Sequence, residues 1–170
     1  MKPGQALKEM RNGLGLTQDA VANDLNISKQ SVSHYESGRR TFQEDVARES
    51  LNAYDDPVYA LSIISEFSGG YTAPKINGRA LEWHRLSLEE FAIREVNEAV
   101  AILNQVSLIK SPNETNAEEK ERVAEAIDEI LDAEMALSNL KAILGKEYTI
   151  SIKERVKKRK PVWKSRGWIE

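Results

Sequence analysis

The chain has 170 residues, 41% hydrophobic and 30% charged, with a net charge of −3, ordinary values for a soluble globular protein of one or two domains. It contains no cysteine, which excludes disulfides, thiolate zinc sites and cysteine nucleophiles. The first ten residues carry lysines without an apolar core, and no apolar run approaches the ~18 residues of a membrane span, so a cytoplasmic protein with no membrane partner is expected.

The charge is unevenly placed. Residues 1–56 carry 7 Lys/Arg against 9 Asp/Glu, residues 57–145 carry 8 against 15, and residues 146–170 carry 9 against 3. An acidic body with a basic tail does not announce a nucleic-acid partner by bulk charge. If DNA is the partner, a few placed groups must do the work.

Strand signals are almost absent and helical spacing recurs, so an all-α fold is expected, with breaks at Gly13–Gly15, Asn26, Gly38, Asp55–Pro57, Ser68–Gly78, Ser111–Asn113 and Gly145. Four short helices are predicted up to Tyr54, then a boundary that divides the chain into domains 1–56 and 57–170. A helix over about 58–67 follows, then a loop holding Gly69, Gly70, Pro74 and Gly78. Ser87 and Glu90 have the spacing of a capping box and start a long helix that runs to about Lys110. A second long helix opens near Asn116, with Glu118 and Glu119 complementing its positive end, and stops at Gly145. The short polar link between these two implies an antiparallel hairpin. A last short helix covers Ser151–Lys160, before Pro161.

Two of the short helices carry the sharpest signal, in the stretch Leu16–Arg40. Thr17 caps a helix whose apolar positions are Ala20, Val21 and Leu25, and Ser28 caps the next, with Val32 and Tyr35 facing inward. Ile27 lies in the turn, where it can plug the angle between them. This is helix-turn-helix spacing, and residues 4–54 resemble the Xre/Cro-type repressor family through Leu16-Thr17-Gln18, Val21-Ala22, Leu25, Ile27-Ser28, Val32-Ser33, Glu36, Gly38 and Arg40. In that geometry the second helix lies in the major groove of double-stranded DNA and its N-terminal residues reach base edges. Lys29 suits guanine O6/N7 and Gln30 the N6/N7 edge of adenine, and Ser33 and His34 come next on the same face. The resemblance implies that Gln18 and Ser28 touch backbone phosphate. Arg39 and Arg40 supply cationic contacts that position without specifying, and Glu36 pairs within the motif. A single such module covers a half-site, so dimerisation is expected.

The long helices show a second pattern. At ~100° per residue, Ala92, Ile93, Val96, Ala99, Val100, Leu103 and Val106 form one apolar arc, and Val123, Ile127, Ile130, Leu131 and Leu137 another. Glu95 with Glu98, and Glu129 with Asp132, are carboxylates spaced i, i+3, a way to build a hard-cation site for Mg²⁺. The runs "REVNEAVAIL" and "DEILDAEMALSNLKAIL", over residues 87–160, resemble the MazG-like all-α NTP pyrophosphohydrolases. There such carboxylates hold Mg²⁺ over a nucleotide's phosphates, in a helical dimer or tetramer. Arg94 stands where that family's run has its first glutamate. The other reading of the four carboxylates is a set of charged helix flanks.

The tail holds Lys157-Lys158-Arg159-Lys160, Lys164 and Arg166 beside Trp163 and Trp168. It either grips DNA or nucleotide phosphate, or is a cationic last turn with tryptophans packed on the bundle. The expected protein is an all-α transcriptional regulator, a repressor that binds an inverted-repeat operator as a homodimer or higher homo-oligomer and performs no chemistry. The alternative is a Mg²⁺- and nucleotide-binding sensor, or an NTP pyrophosphohydrolase-like enzyme, fused to a DNA-binding module.

Overall fold

The computed structural model describes residues 2–170, and it is all-α. Its eight helices are α1 (Pro3–Gly13), α2 (Gln18–Asp24), α3 (Lys29–Glu36), α4 (Glu44–Ala53), α5 (Pro57–Phe67), α6 (Arg85–Gln105), α7 (Ala117–Glu147) and α8 (Ile152–Ser165). No strand occurs among the described residues, and no helix is long and apolar enough to cross a membrane. The chain gathers into two compact units: residues up to Lys75 with Ala142–Glu170, and Ile76–Lys141.

In the first unit α1–α5 close around one core. Leu7 and Met10 of α1, Val21 of α2, Val32 and Tyr35 of α3, Val46 of α4 and Ile63 of α5 are all buried together. Phe42 sets its ring edge-on to Tyr35, with centroids 5.1 Å apart. Ile27 packs against this core from the turn, as its position predicted. The caps are those the sequence announced: Thr17 Oγ1 accepts from the Ala20 N–H at 3.1 Å and Ser28 Oγ from the Ser31 N–H at 3.1 Å. Between them Asn26 adopts a left-handed φ of 51°, a conformation that asparagine tolerates better than most residues. The Ile27 N–H then turns back to the Ala22 carbonyl at 2.9 Å, closing α2 and aiming the chain into α3.

Gly4 permits a contact that no other residue type allows. A Cβ there would lie 1.9 Å from the Tyr35 carbonyl oxygen, so the start of α1 meets the backbone of α3 directly.

The end of α7 also belongs to this unit, and it corrects one expectation. Gly145 does not stop the helix, which runs on to Glu147 and ends where Thr149 takes a left-handed φ of 53°. Gly145 serves close approach instead: a Cβ would meet Ile152 at 3.0 Å and Pro57 at 3.1 Å. Lys146 adds an ion pair to buried Asp56 at 3.1 Å, and Asp56 caps α5 by accepting from the Val58 and Tyr59 N–H groups at 2.9 Å. Helix α8 does not stop before Pro161 as expected but passes through it to Ser165, and Gly167, whose φ is 69°, follows the cap residue Arg166. The helix is solvent-exposed there, so the carbonyl that loses its partner to the proline has water.

In the second unit α6 and α7 run antiparallel, as expected. Lys110 in the link pairs with Glu119 of the first turn of α7 at 2.9 Å, whereas the Ile76 N–H, ahead of α6, donates to Asn139 far along α7 at 2.8 Å. Two boundaries differ from expectation. Helix α6 begins at Arg85, before Ser87, because His84 Nδ1 takes the cap position and accepts from the Leu86 N–H at 3.3 Å. It ends at Gln105, where extended Val106 (ψ 122°) begins a link of low helix propensity that leads into Ser111-Pro112. The reciprocal capping box forms on α7 instead: the Glu119 N–H donates to Asn116 Oδ1 and the Asn116 N–H to Glu119 Oε2, both at 2.8 Å.

The apolar arcs are split. Helix α6 buries Leu88, Ala92, Glu95 and Ala99, and α7 buries Ala126, Ala133, Ala136 and Asn139. The bulkier Ile93, Val100 and Leu103 of α6, and Ile127, Ile130 and Leu131 of α7, remain about half exposed. Apart from Leu88, the apolar positions buried here are alanines, and these six bulkier side chains stay partly in solvent.

Candidate nucleic-acid interface

One carboxylate ties α1 and α2 to α3. The Arg11 guanidinium donates to both carboxylate oxygens of Glu36, at 2.6 and 3.0 Å, and to the Leu16 carbonyl at 2.9 Å. Gln18 Nε2 donates to the same carboxylate at 2.8 Å. Burial alone would raise the Glu36 carboxyl, but the bonds from Arg11 and Gln18 hold it below its ordinary value. Glu36 pairs inside the motif, as expected. Arg11 was not singled out by the sequence, because its partner lies far along the chain and nothing local marks it.

This frame sets out the face of α3. Ser28 caps the helix, and Lys29, Gln30 and His34 project from its exposed side, with Ser33 half-buried beside them. The side chains of Gln30 and His34 make no hydrogen bond or ion pair among the described residues. Lys29 is paired with Asp19 at 2.7 Å, both side chains being more than half exposed, so a base edge must compete with a carboxylate for it. An exposed pair of this kind is worth only ~0–1 kcal/mol, a modest opposition.

The proposed phosphate contacts are partly engaged within the protein. Gln18 gives one amide N–H to Glu36, which leaves its second donor. Ser28 Oγ also shares a hydrogen bond of 2.9 Å with Ser31 Oγ. Arg39 and Arg40 follow Gly38, whose left-handed φ of 71° ends α3, and both are exposed. The Arg40 guanidinium lies 5.4 Å from the Tyr35 ring centroid, a contact that holds it near the end of α3.

The four carboxylates of the second unit are brought near one another. Removal from water raises the Glu129 carboxyl, and Glu98, Asp132 and Glu95 push it further. The cation beside them is Arg94, which donates to Glu95 Oε1 at 2.8 and 3.0 Å and approaches Glu98 at 4.0 Å. Among the described residues no three acidic or histidine side chains are grouped so as to hold a metal ion. Glu95, Glu98, Glu129 and Asp132, the carboxylates expected to hold Mg²⁺, form a crowded acidic surface with Arg94 on one side.

Residues 4–57 match a family model described as a helix-turn-helix domain. No curated protein and no solved structure matches the chain. The N-terminal part is a helix-turn-helix domain, and the match supports DNA binding.

Proposed function

We propose that the protein is a sequence-specific DNA-binding regulator of the Xre/Cro type, a repressor that acts as a dimer on an inverted-repeat operator. The observation that carries this reading is the exposed face of α3. A capped helix held by the Arg11–Glu36 pair presents Lys29, Gln30 and His34 outward, where a solvated face of a structural helix needs no such set. Lys29 and Gln30 read base edges, Ser33 and His34 extend the contact, and Gln18, Ser28, Arg39 and Arg40 bind phosphate. The same unit provides no second recognition helix, so a full operator requires a second copy.

The large side chains left in solvent on α6 and α7 support that second copy as their partner. A lone protein rarely exposes apolar patches beyond a few hundred Å², and these are aligned on long helices, as in a helical dimer interface. Selection of duplexes from a random-sequence pool by the full chain tests the reading. Recovery of an inverted repeat supports it, and recovery of no consensus refutes it.

A further inference from the structure

We infer that α8 is a second DNA-binding element that grips backbone phosphate beside the site read by α3; this rests on the DNA-binding reading of the first unit. Its 14 residues carry seven Lys or Arg against the single Glu154, and none of them is buried. Lys157 faces Glu154 at 3.8 Å. Arg155, Lys158, Arg159, Lys160 and Lys164 have no acidic partner among the described residues. Like charges at i, i+4, here Arg155 with Arg159 and Lys160 with Lys164, destabilise an isolated helix. Such a row is relieved when an anion lies along it.

The anchoring of α8 places the row beside the DNA-binding module. Lys153 Nζ donates to the carbonyls of Leu51, Asn52 and Tyr54, at the negative end of α4 where a cation is favoured. Ile152 lies against Gly145. Tyr54 in turn reaches Asp24, the last residue of α2, through its hydroxyl at 2.8 Å. The start of α8 is thus one tyrosine side chain from the end of α2, just before the turn that leads into α3. From there the helix extends about 21 Å, enough to run past several phosphates.

Charge explains why the module needs this help. Residues 1–56 carry 7 Lys/Arg against 9 Asp/Glu, whereas affinity for DNA comes largely from phosphate neutralisation. A membrane surface is a poorer match, because an interfacial helix needs a broad apolar face. Here Val156, Val162 and Trp163 are the only large apolar side chains beyond Ile152.

The test uses the full chain, the duplex it selects from a random pool, and an unrelated duplex of equal length. Affinity is followed between about 50 and 200 mM salt for wild type, for Lys158→Gln/Arg159→Gln/Lys160→Gln, and for the charge-keeping Lys158→Arg/Arg159→Lys/Lys160→Arg. The glutamine variant is expected to keep its helicity, to weaken on both duplexes alike, and to lose ~2–3 from the slope of log K against log salt. The charge-keeping variant should match wild type. An unchanged slope in the glutamine variant, with wild-type binding intact, overturns the role of α8 alone. Wild type that binds neither duplex overturns the DNA-binding reading and this inference together. Two further outcomes also overturn it when the slope is unchanged: a shift in sedimentation, which assigns α8 to the acidic surface of a second copy, or loss of binding to phosphatidylserine vesicles, which assigns it to a membrane.

Discussion

Arg11 and Glu36 stand 25 positions apart in the chain, and their side chains meet at 2.6 Å, joining the end of α1 to the end of α3. Gln18, the first residue of α2, shares the same carboxylate at 2.8 Å, so three helices depend on one acid. Because both partners are largely buried, Glu36→Gln is expected to cost about 2–4 kcal/mol, leaving Arg11 without its counter-charge. The Glu36 carboxyl is held below 4.5 in the folded chain. Its contribution is therefore complete above that value and fades as pH falls through the lowered one. Denaturant midpoints of wild type and Glu36→Gln should differ most near pH 7 and converge in acid. A constant difference at every pH would show that packing, and not the ion pair, is what the substitution removes.

Gly4→Ala tests the meeting of α1 with α3. A Cβ 1.9 Å from the Tyr35 oxygen forces the two helices apart, at a cost at or above the upper end of the ~1–3 kcal/mol typical of overpacking. Gly13→Ala is the control. It lies near the end of the same helix with nothing within 4 Å, and should stabilise by ~0.4–1 kcal/mol. Thermal unfolding of the pair should give shifts of opposite sign.

What the sequence revealed of this fold was mostly local. Thr17, Ser28 and Asn26 announced their caps and turn because each acts on backbone within a few residues. The capping-box pattern occurs at both Ser87/Glu90 and Asn116/Glu119, and only a neighbour outside the pattern, His84, decides that the second is the one that forms. Gly145 read as a stop because its real constraint, the approach of Pro57 and Ile152, comes from distant parts of the chain. The arcs of α6 and α7 were legible as apolar, but which flank would be buried depends on how the two helices meet. For the recognition face, residue types were legible while engagements were not: Asp19 on Lys29 and Glu36 on Gln18 are tertiary contacts.

Gln30 and Asp19 should act on DNA in opposite directions. Gln30→Ala is expected to cost ~1–3 kcal/mol at the selected operator and to relax preference at one base pair. Asp19→Asn releases Lys29 and removes a negative charge beside the phosphates, so it should tighten binding to every duplex. Competition titrations against single-base operator variants separate the two effects. An unchanged profile for Gln30→Ala would remove that side chain from the interface.

Ile127→Glu/Leu131→Glu tests the partner of the exposed flank. Both side chains are about half exposed within the chain, so the substitutions should leave the helices folded while placing charge on the proposed dimer surface. Wild type is expected to sediment as a dimer at micromolar concentration, and the variant as a helical monomer with much weaker operator binding. A wild-type monomer would refute the assembly outright.

Arg94 and Glu129 decide what the acidic surface of the second unit is for. The Glu129 carboxyl is raised by loss of water and by Glu98, Asp132 and Glu95, so its ionised form opposes folding at neutral pH. The sign follows from linkage: a carboxyl raised in the folded chain loses stability as pH climbs through its folded value, and the loss is absent below the unfolded one. Glu129→Gln should therefore stabilise at pH 7 and be neutral in acid. Arg94 sits on Glu95 and within 4.0 Å of Glu98, so Arg94→Gln should destabilise at pH 7. If arginine is the only cation this surface requires, Mg²⁺ and EDTA give wild type the same melting temperature. Arg94→Gln should then gain stability with Mg²⁺, since an added cation replaces the missing charge. A Mg²⁺-dependent rise in wild type, enhanced by NTPs and abolished in Glu95→Gln/Glu129→Gln, would instead establish a bound metal and the nucleotide-sensing alternative.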